Sequence, residues 1–372
     1  SDENVYTTQT NSGYATASFD FYKTFYLDAT WRIDQSSTLP KANNVYNYPS
    51  VTGSFIASEL IKAPWLNFWK IRANYAEVGS TASQYMLNQY YKSIAHYDSS
   101  EMIYGSQTTL PNADLKPQKS KEFEIGTEAH FLKDRITLDF AYYKTKTTNQ
   151  IINLPISTAA GLINASINAG RIDNTGYEVQ LGLVPIKTTD FSWNINANWS
   201  KNTNEVVSLL HNSVSDVSNI LLNSFQGGVS LNAREGEAWG TIIGSDYVYL
   251  NGQPVVNPTT GRYLRQGNQV IGNTTPDWIG GVRNTINYKG FSLSFLIDVR
   301  KGGDVFSLDQ YYGLATGLYE GTENYRESGT IWPGVNPNGQ VNTTVTVDPE
   351  SFGSLDGYQY MPAKRFVYDG SF

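Results

Sequence analysis

The chain of 372 residues has no cysteine. Disulfide frameworks, Cys-ligated zinc and Cys nucleophiles are thereby excluded. Histidine is nearly absent: His96, His130 and His211 are the whole supply, so a multi-His metal site would need all of them from distant segments. Charged residues make up only 16 %, and the net charge is −7 with no basic run. Nucleic-acid binding is not expected from such a balance. No apolar run approaches the ~20 residues of a membrane helix, and mean hydropathy is −0.38. Membrane strands escape that test, because they are apolar on one face only. No nucleophile elbow, Walker A loop, HExxH or EF-hand loop is present, and no cofactor is implied. Aromatics are abundant instead, at 13 %, with 26 Tyr, 16 Phe and 8 Trp. So many aromatics with so few charges do not describe a disordered chain.

The ends carry their own expectation. Ser1 opens in polar, loop-like sequence without a signal peptide. Asp369-Gly370-Ser371-Phe372 reads as the beginning of another strand. Both ends read as cuts in a longer protein.

Period-two alternation is the strongest local signal, and it marks strands with one apolar face. In 191–199, Phe191, Trp193, Ile195, Ala197 and Trp199 alternate with Ser192, Asn194, Asn196 and Asn198. In 291–300, Phe291, Leu293, Phe295, Ile297 and Val299 alternate with Ser292, Ser294, Leu296, Asp298 and Arg300. Segments 68–75 and 122–131 place Lys70, Arg72, Glu122, Glu124, Glu128 and His130 on the polar side. The pattern predicts ten strands: 13–22, 24–33, 51–60, 67–78, 120–131, 135–146, 175–184, 190–200, 277–288 and 290–300, with an eleventh from about 364. Their length matches the ~9–11 residues that a tilted strand needs to cross a bilayer.

The connections read as alternately short and long. The short ones centre on Lys23, Pro64, Lys133, Lys187 and Gly290. The long ones are 34–50, 79–119, 147–174, 201–276 and 301–363. Outer-membrane barrels place short turns on the periplasmic side and long loops outside. Aromatics near strand ends, such as Tyr22, Trp31, Tyr142, Tyr177, Trp199 and Tyr288, suit the headgroup belts. A soluble β-sandwich would also alternate. It would not collect its long loops at one end, nor oppose a core face with Lys70, Arg72, Glu124, Asp139, Glu178 and Arg283. At roughly 35 residues per strand, a plugged barrel of 22 strands is about twice this chain. The expected fold is therefore all-β: part of an antiparallel transmembrane β-barrel, with about 10–11 of its strands.

Ordered segments along the chain resemble the SusC/RagA family of TonB-dependent outer-membrane transporters. Asn112-Ala113-Asp114-Leu115-Lys116-Pro117, followed by Glu122 and Gly126, is similar to the family's NPDLKxE…ExNIG run, with Ala113 in place of Pro. Residues 142–181 resemble its stretch ending in NxGxIxNxGxE, here Asn168, Gly170, Ile172, Asn174, Gly176 and Glu178. Gly236, Gly240 and Gly244, then Asn257 to Gly261, then Ile271 to Pro276, look like its GxxxGxxxG, DPxTG and IGNxxP segments. Gly302 to Phe306 resembles GGDIF, and Arg32-Ile33-Asp34-Gln35-Ser36 resembles RxDGS. The likeness spans nearly all of 1–372 as part of one barrel domain, whose plug and closing strands are not in this chain.

The resemblance implies the barrel subunit of a Gram-negative outer-membrane importer for oligosaccharides or oligopeptides. Its implied partners are a SusD-like surface lipoprotein, TonB–ExbB–ExbD reached through a missing N-terminal part, and outer-membrane lipid. A soluble all-β carbohydrate-binding module and a passive porin are the competing expectations. Loop aromatics able to stack on a sugar ring are Tyr85, Tyr91, Trp239, Tyr247, Tyr249, Tyr311, Tyr312 and Trp332, with Tyr90, Tyr97 and Tyr319 beside them. No enzyme chemistry is expected. Glu122 and Glu124 mimic a glycosidase pair but read as lumen-facing alternation. Asp298, Asp304 and Asp309, and Asp348, Glu350 and Asp356, fit no calcium spacing and read as solvated acids. His130 reads as a lumen-face polar residue, not a ligand.

Overall fold

The computed structural model describes residues 5, 7–96, 102–211, 216–316, 318–320, 329–345 and 361–372. Two compact units are present: Ser1–Ile220 with Trp278–Val299, and Leu221–Asp277 with Arg300–Phe372. The first unit carries the wall. Its strands are β1 (Thr10–Phe21), β2 (Phe25–Ser36), β3 (Val45–Ile56), β4 (Leu66–Ser80), β5 (Gln118–Phe131), β6 (Ile136–Pro155), β7 (Asn164–Lys187), β8 (Phe191–Ser208), β9 (Pro276–Tyr288) and β10 (Phe291–Gly302). They pair in unbroken chain order from β1 to β10, a meander in which each backbone bonds its sequence neighbour.

Register turns the alternation into two unlike faces. One face aligns Phe55, Ile71, Thr127, Phe140, Val179 and Trp199 in a row. The adjacent row is Trp69, Ala129, Leu138, Leu181, Ala197 and Val282. These side chains stand open rather than covered: Phe123 is 48 % exposed and Phe291 81 %. A sandwich would have closed a second sheet over them. The other face is predominantly polar, and Asp28, Thr52, Asn74, Glu124 and Tyr143 form one of its rows.

Several sequence expectations shift. The third strand is not 51–60: it starts at Val45, and Ala57–Leu60 closes a helical turn. The stretches 34–50 and 147–174 are not long loops, because β2, β3, β6 and β7 run on through them, leaving only 37–44 and 156–163 as links. Strict alternation of short and long connections therefore fails at those two places. The physical reason is that a strand keeps its ladder bonds beyond the bilayer wherever its neighbour continues beside it. The eleventh strand starts at Val367, after a helical turn at Ala363–Phe366, and pairs with Asp304–Phe306.

The family-like motifs are joints. Gly170 (φ +78°) faces Asn149 (φ +54°), and the β6–β7 register steps over this pair. Asn168 uses one amide to hold both backbone groups of Lys116: Oδ1 accepts from its N–H and Nδ2 donates to its carbonyl, each at 2.7 Å. Leu115, fully buried, then packs with Leu39 and Ala82. In the second unit, the Asp304 carboxylate accepts from the Asn273 N–H at 2.8 Å. A Cβ on Gly272 would crowd that carboxylate, which explains the glycine.

Two substitutions test this reading with opposite signs. A side chain at Gly176 would overlap the Tyr143 ring that lies over it. Gly176→Val is expected to cost about 1–3 kcal/mol by overpacking, read as a lower urea midpoint for the parent protein in bilayers. Lys133 sits exposed at φ +59° between two further left-handed residues, Leu132 and Asp134. Lys133→Gly is expected to raise stability by about 0.5–1 kcal/mol, because glycine carries no Cβ penalty there.

Candidate functional site

The polar face of the first unit gathers charge and amides by register alone. Glu128, Asp139, Gln180, Asn198 and Gly281 share one cross-strand row. His130, Thr137, Gly182, Asn196 and Arg283 share the next. These rows, with Asp298 and Leu296 from β10, line a hollow of ≈ 730 Å³. The Arg72 guanidinium sits beside it. Its two terminal nitrogens donate to Asp139 at 2.9 and 3.0 Å, and its Nε donates to Glu124 at 3.1 Å. His130 lies between Glu128 at 3.1 Å and Asp134 at 3.2 Å, a polar residue of this face as expected. Glu122 accepts from the Thr145 hydroxyl at 2.8 Å. Both members of the glycosidase-like pair are thus engaged in holding the wall. Donors and acceptors so arrayed can bind hydroxyls and amides along a path.

The eight loop aromatics fall into separate places. In the first unit, Tyr85 and Tyr90 are 5.5 Å apart and line a second hollow of ≈ 530 Å³ with Gln118, Asn153 and Ser166. Tyr91 is exposed at the start of a hairpin, Tyr91–His96 with Met102–Ser106, and does not line that hollow. In the second unit, Tyr247 lies 6.0 Å from Tyr249 and 4.9 Å, edge-on, from Tyr263. Tyr263 in turn lies 5.8 Å from Trp332, and its hydroxyl donates to the Pro333 carbonyl at 3.1 Å. The sequence pattern does not single out Tyr263, although it follows the Asn257–Gly261 turn within the same loop. That turn is closed by the Asn257 side chain, which accepts from the Thr259 N–H at 2.8 Å.

The rest are more structural. Tyr311 packs edge-on against the buried Phe366 at 5.2 Å. Tyr312 donates to Gln226 Oε1 at 2.7 Å, and Trp239 is half-buried. The Tyr319 hydroxyl donates to Asp309. Tyr97, Asp348, Glu350 and Asp356 lie outside the described residues. Asp298, Asp304 and Asp309 go to three different surroundings, and no group of three or more potential ligands is assembled for a metal among the described residues.

Burial, with Tyr263 adding to it, pushes the Tyr247 phenol up to about 12. Burial also raises Tyr263. The folded loop therefore holds these protons more tightly than an unfolded chain does. Its stability is full below pH ~10, the ordinary tyrosine value, and falls as pH climbs from there toward about 12. The difference in 295 nm absorbance between the parent protein and Tyr247→Phe is expected to titrate near the upper end of that window. A difference titrating at the ordinary value would show a solvated ring.

Comparison with known proteins follows the same lines. The family model described as "TonB dependent receptor-like, beta-barrel" matches residues 1–295. The TonB-dependent receptor P3 of Formosa agariphila is 24 % identical over 98 % of this chain and 37 % of its own length. The TonB-dependent receptor SusC of Bacteroides thetaiotaomicron is 26 % identical over 72 % of this chain and 28 % of its own. Among solved structures, the RagAB peptide transporter superposes with a TM-score of 0.75 at 19 % identity, over 98 % of this chain and 40 % of that one. The chain thus spans well under half the length of these relatives. With its two-faced meander and the family model over most of its length, this chain belongs to the β-barrel family of TonB-dependent receptors, proteins of the Gram-negative outer membrane.

Proposed function

We propose that this chain is part of the barrel subunit of an active importer for oligosaccharides or oligopeptides. The observation that carries the proposal is the sidedness of the wall. Apolar rows face lipid, and rows rich in Asp, Glu, Arg, Asn and Gln line the way through. An apolar band left open on one side suits no water-soluble binding module. The relatives named SusC and the RagAB peptide transporter support the nutrient-importer class. On this reading energy arrives through TonB–ExbB–ExbD, and a SusD-like lipoprotein closes the outer mouth. No chemical step on the cargo is part of the proposal; the cargo is bound, screened from solvent and passed inward. The Tyr249–Tyr247–Tyr263–Trp332 chain of rings is the proposed stacking surface, since ring faces suit the apolar side of a pyranose or an aromatic peptide side chain.

The test uses the full-length protein in its own organism. Deleting its gene is expected to abolish growth on one class of glycan or peptide supplied as sole nutrient. Restoring it with Trp332→Ala and Tyr249→Ala is expected to leave uptake of that nutrient about ten-fold slower, with unchanged outer-membrane abundance. Unimpaired growth of the deletion strain on every glycan and peptide offered would overturn the assignment.

A further inference from the structure

The lipid-facing side of the wall changes character abruptly at its loop end. Phe123 of β5, Tyr142 of β6, Tyr177 of β7 and Trp199 of β8 stand on the outward face, as register with the apolar rows requires. Tyr75 of β4 opposes Phe123 and closes this belt. Just beyond the aromatics, the same face turns cationic. Lys119 and Lys121 follow on β5, Lys144 and Lys146 on β6, Arg171 on β7 and Lys201 on β8. Register sets Lys121 opposite Lys146, and Lys201 opposite Tyr177.

Only three acids share the strip. Glu77 is buried between Lys119 and Lys121, with Lys121 Nζ at 2.9 Å. Asp173 is held by the Arg171 Nε at 2.7 Å, and Glu205 lies opposite Asp173. Six cations less three acids leave +3 on one strip of a chain whose net charge is −7. Among the described residues no ion pair engages Lys144, Lys146 or Lys201. Like charges placed directly opposite, as in the Lys121–Lys146 pair, repel. A wall with no use for the strip would gain by losing them.

We propose that this strip binds the phosphate groups of glycolipid headgroups in the outer leaflet. The position fits, since the belt marks the level of the headgroups and basic clusters at that level recognise anionic ones. Glu77 serves as a spacer: its single carboxylate pairs with both Lys119 and Lys121 and offsets one of their two charges, and Lys144, Lys146 and Lys201 are left to reach the ligand. The inference rests on the orientation of the wall in the membrane and is independent of cargo.

The experiment takes full-length protein in detergent, with EDTA present to remove bridging cations. It is incubated with an equimolar pair of bis-phosphorylated lipid A and its fully dephosphorylated form, and the retained lipid is read by native mass spectrometry. The wild type is expected to retain the phosphorylated form in about ten-fold preference. The triple variant Lys144→Gln, Lys146→Gln, Lys201→Gln is expected to lose most of that preference, and the corresponding triple Lys→Arg variant to keep it. All three proteins must show the same heat-modifiable gel shift, so that the comparison is between folded barrels; if the Gln variant fails this, Lys144→Gln alone is read for a partial loss. Inorganic phosphate alone is expected not to displace the lipid at millimolar concentration. Equal retention of the two lipid forms by the wild type, or undiminished preference in the folded Gln variant, would overturn the proposal. So would loss of a co-purifying surface lipoprotein from the Gln variant with lipid retention unchanged, since the strip would then be a protein interface.

Discussion

A peptide N–H or C=O left unpaired in hydrocarbon costs several kcal/mol. The rest of this structure depends on that penalty. It forces each strand to bond the strand beside it, and in this chain that neighbour is always the next in sequence along the wall. The meander keeps each pairing local, apart from the excursions of 81–117 between β4 and β5 and of 209–275 between β8 and β9. It also fixes register, since a slip by one residue would turn Phe191, Trp193 and Ile195 inward and Asn194 and Asn196 into lipid. The amphipathic pattern and the hydrogen-bond ladder therefore specify each other.

Much of the wall was readable for this reason. A strand wetted on one side and greased on the other must alternate; segment 191–199 does so without a break, and 291–300 does so except at Leu296. The upper reaches of β6 and β7 were less readable. Beyond the bilayer nothing demands an apolar face, and Thr147, Thr148 and Gln150 read as loop while remaining paired. The turn at Ala57–Leu60 was missed because Ile56, Ala57, Leu60 and Ile61 are as apolar as a strand. The lumen hollow was legible as polarity but not as a place, since Glu128 and Arg283 lie far apart in sequence. The aromatic chain was legible in part: Tyr247, Tyr249 and Trp332 stood out as loop aromatics, whereas Tyr263 joins them through tertiary folding alone.

The motifs shared with relatives gain a physical meaning. Gly170, Gly176, Gly272, Asn168 and Asp304 are not disposed as a ligand site. Each governs a local backbone arrangement: a gap in a ladder, a ring lying over a strand, a carboxylate capping a distant amide. The loops between these joints are not bound by the same backbone demands. Such a division, with fixed hinges and variable display, is how a scaffold serves many ligands.

The bond between Asn168 and Lys116 bears on how the wall assembles. It joins residues 52 positions apart, whereas the β6–β7 hairpin that carries Asn168 closes locally. Short-range hairpins form in microseconds, and long loop closures follow later. Sequence separation therefore favours an order in which the hairpin forms first and presents a preformed amide clasp. The segment before β5 is fastened by that clasp, so a residue late in the sequence sets the starting point of a strand that precedes it.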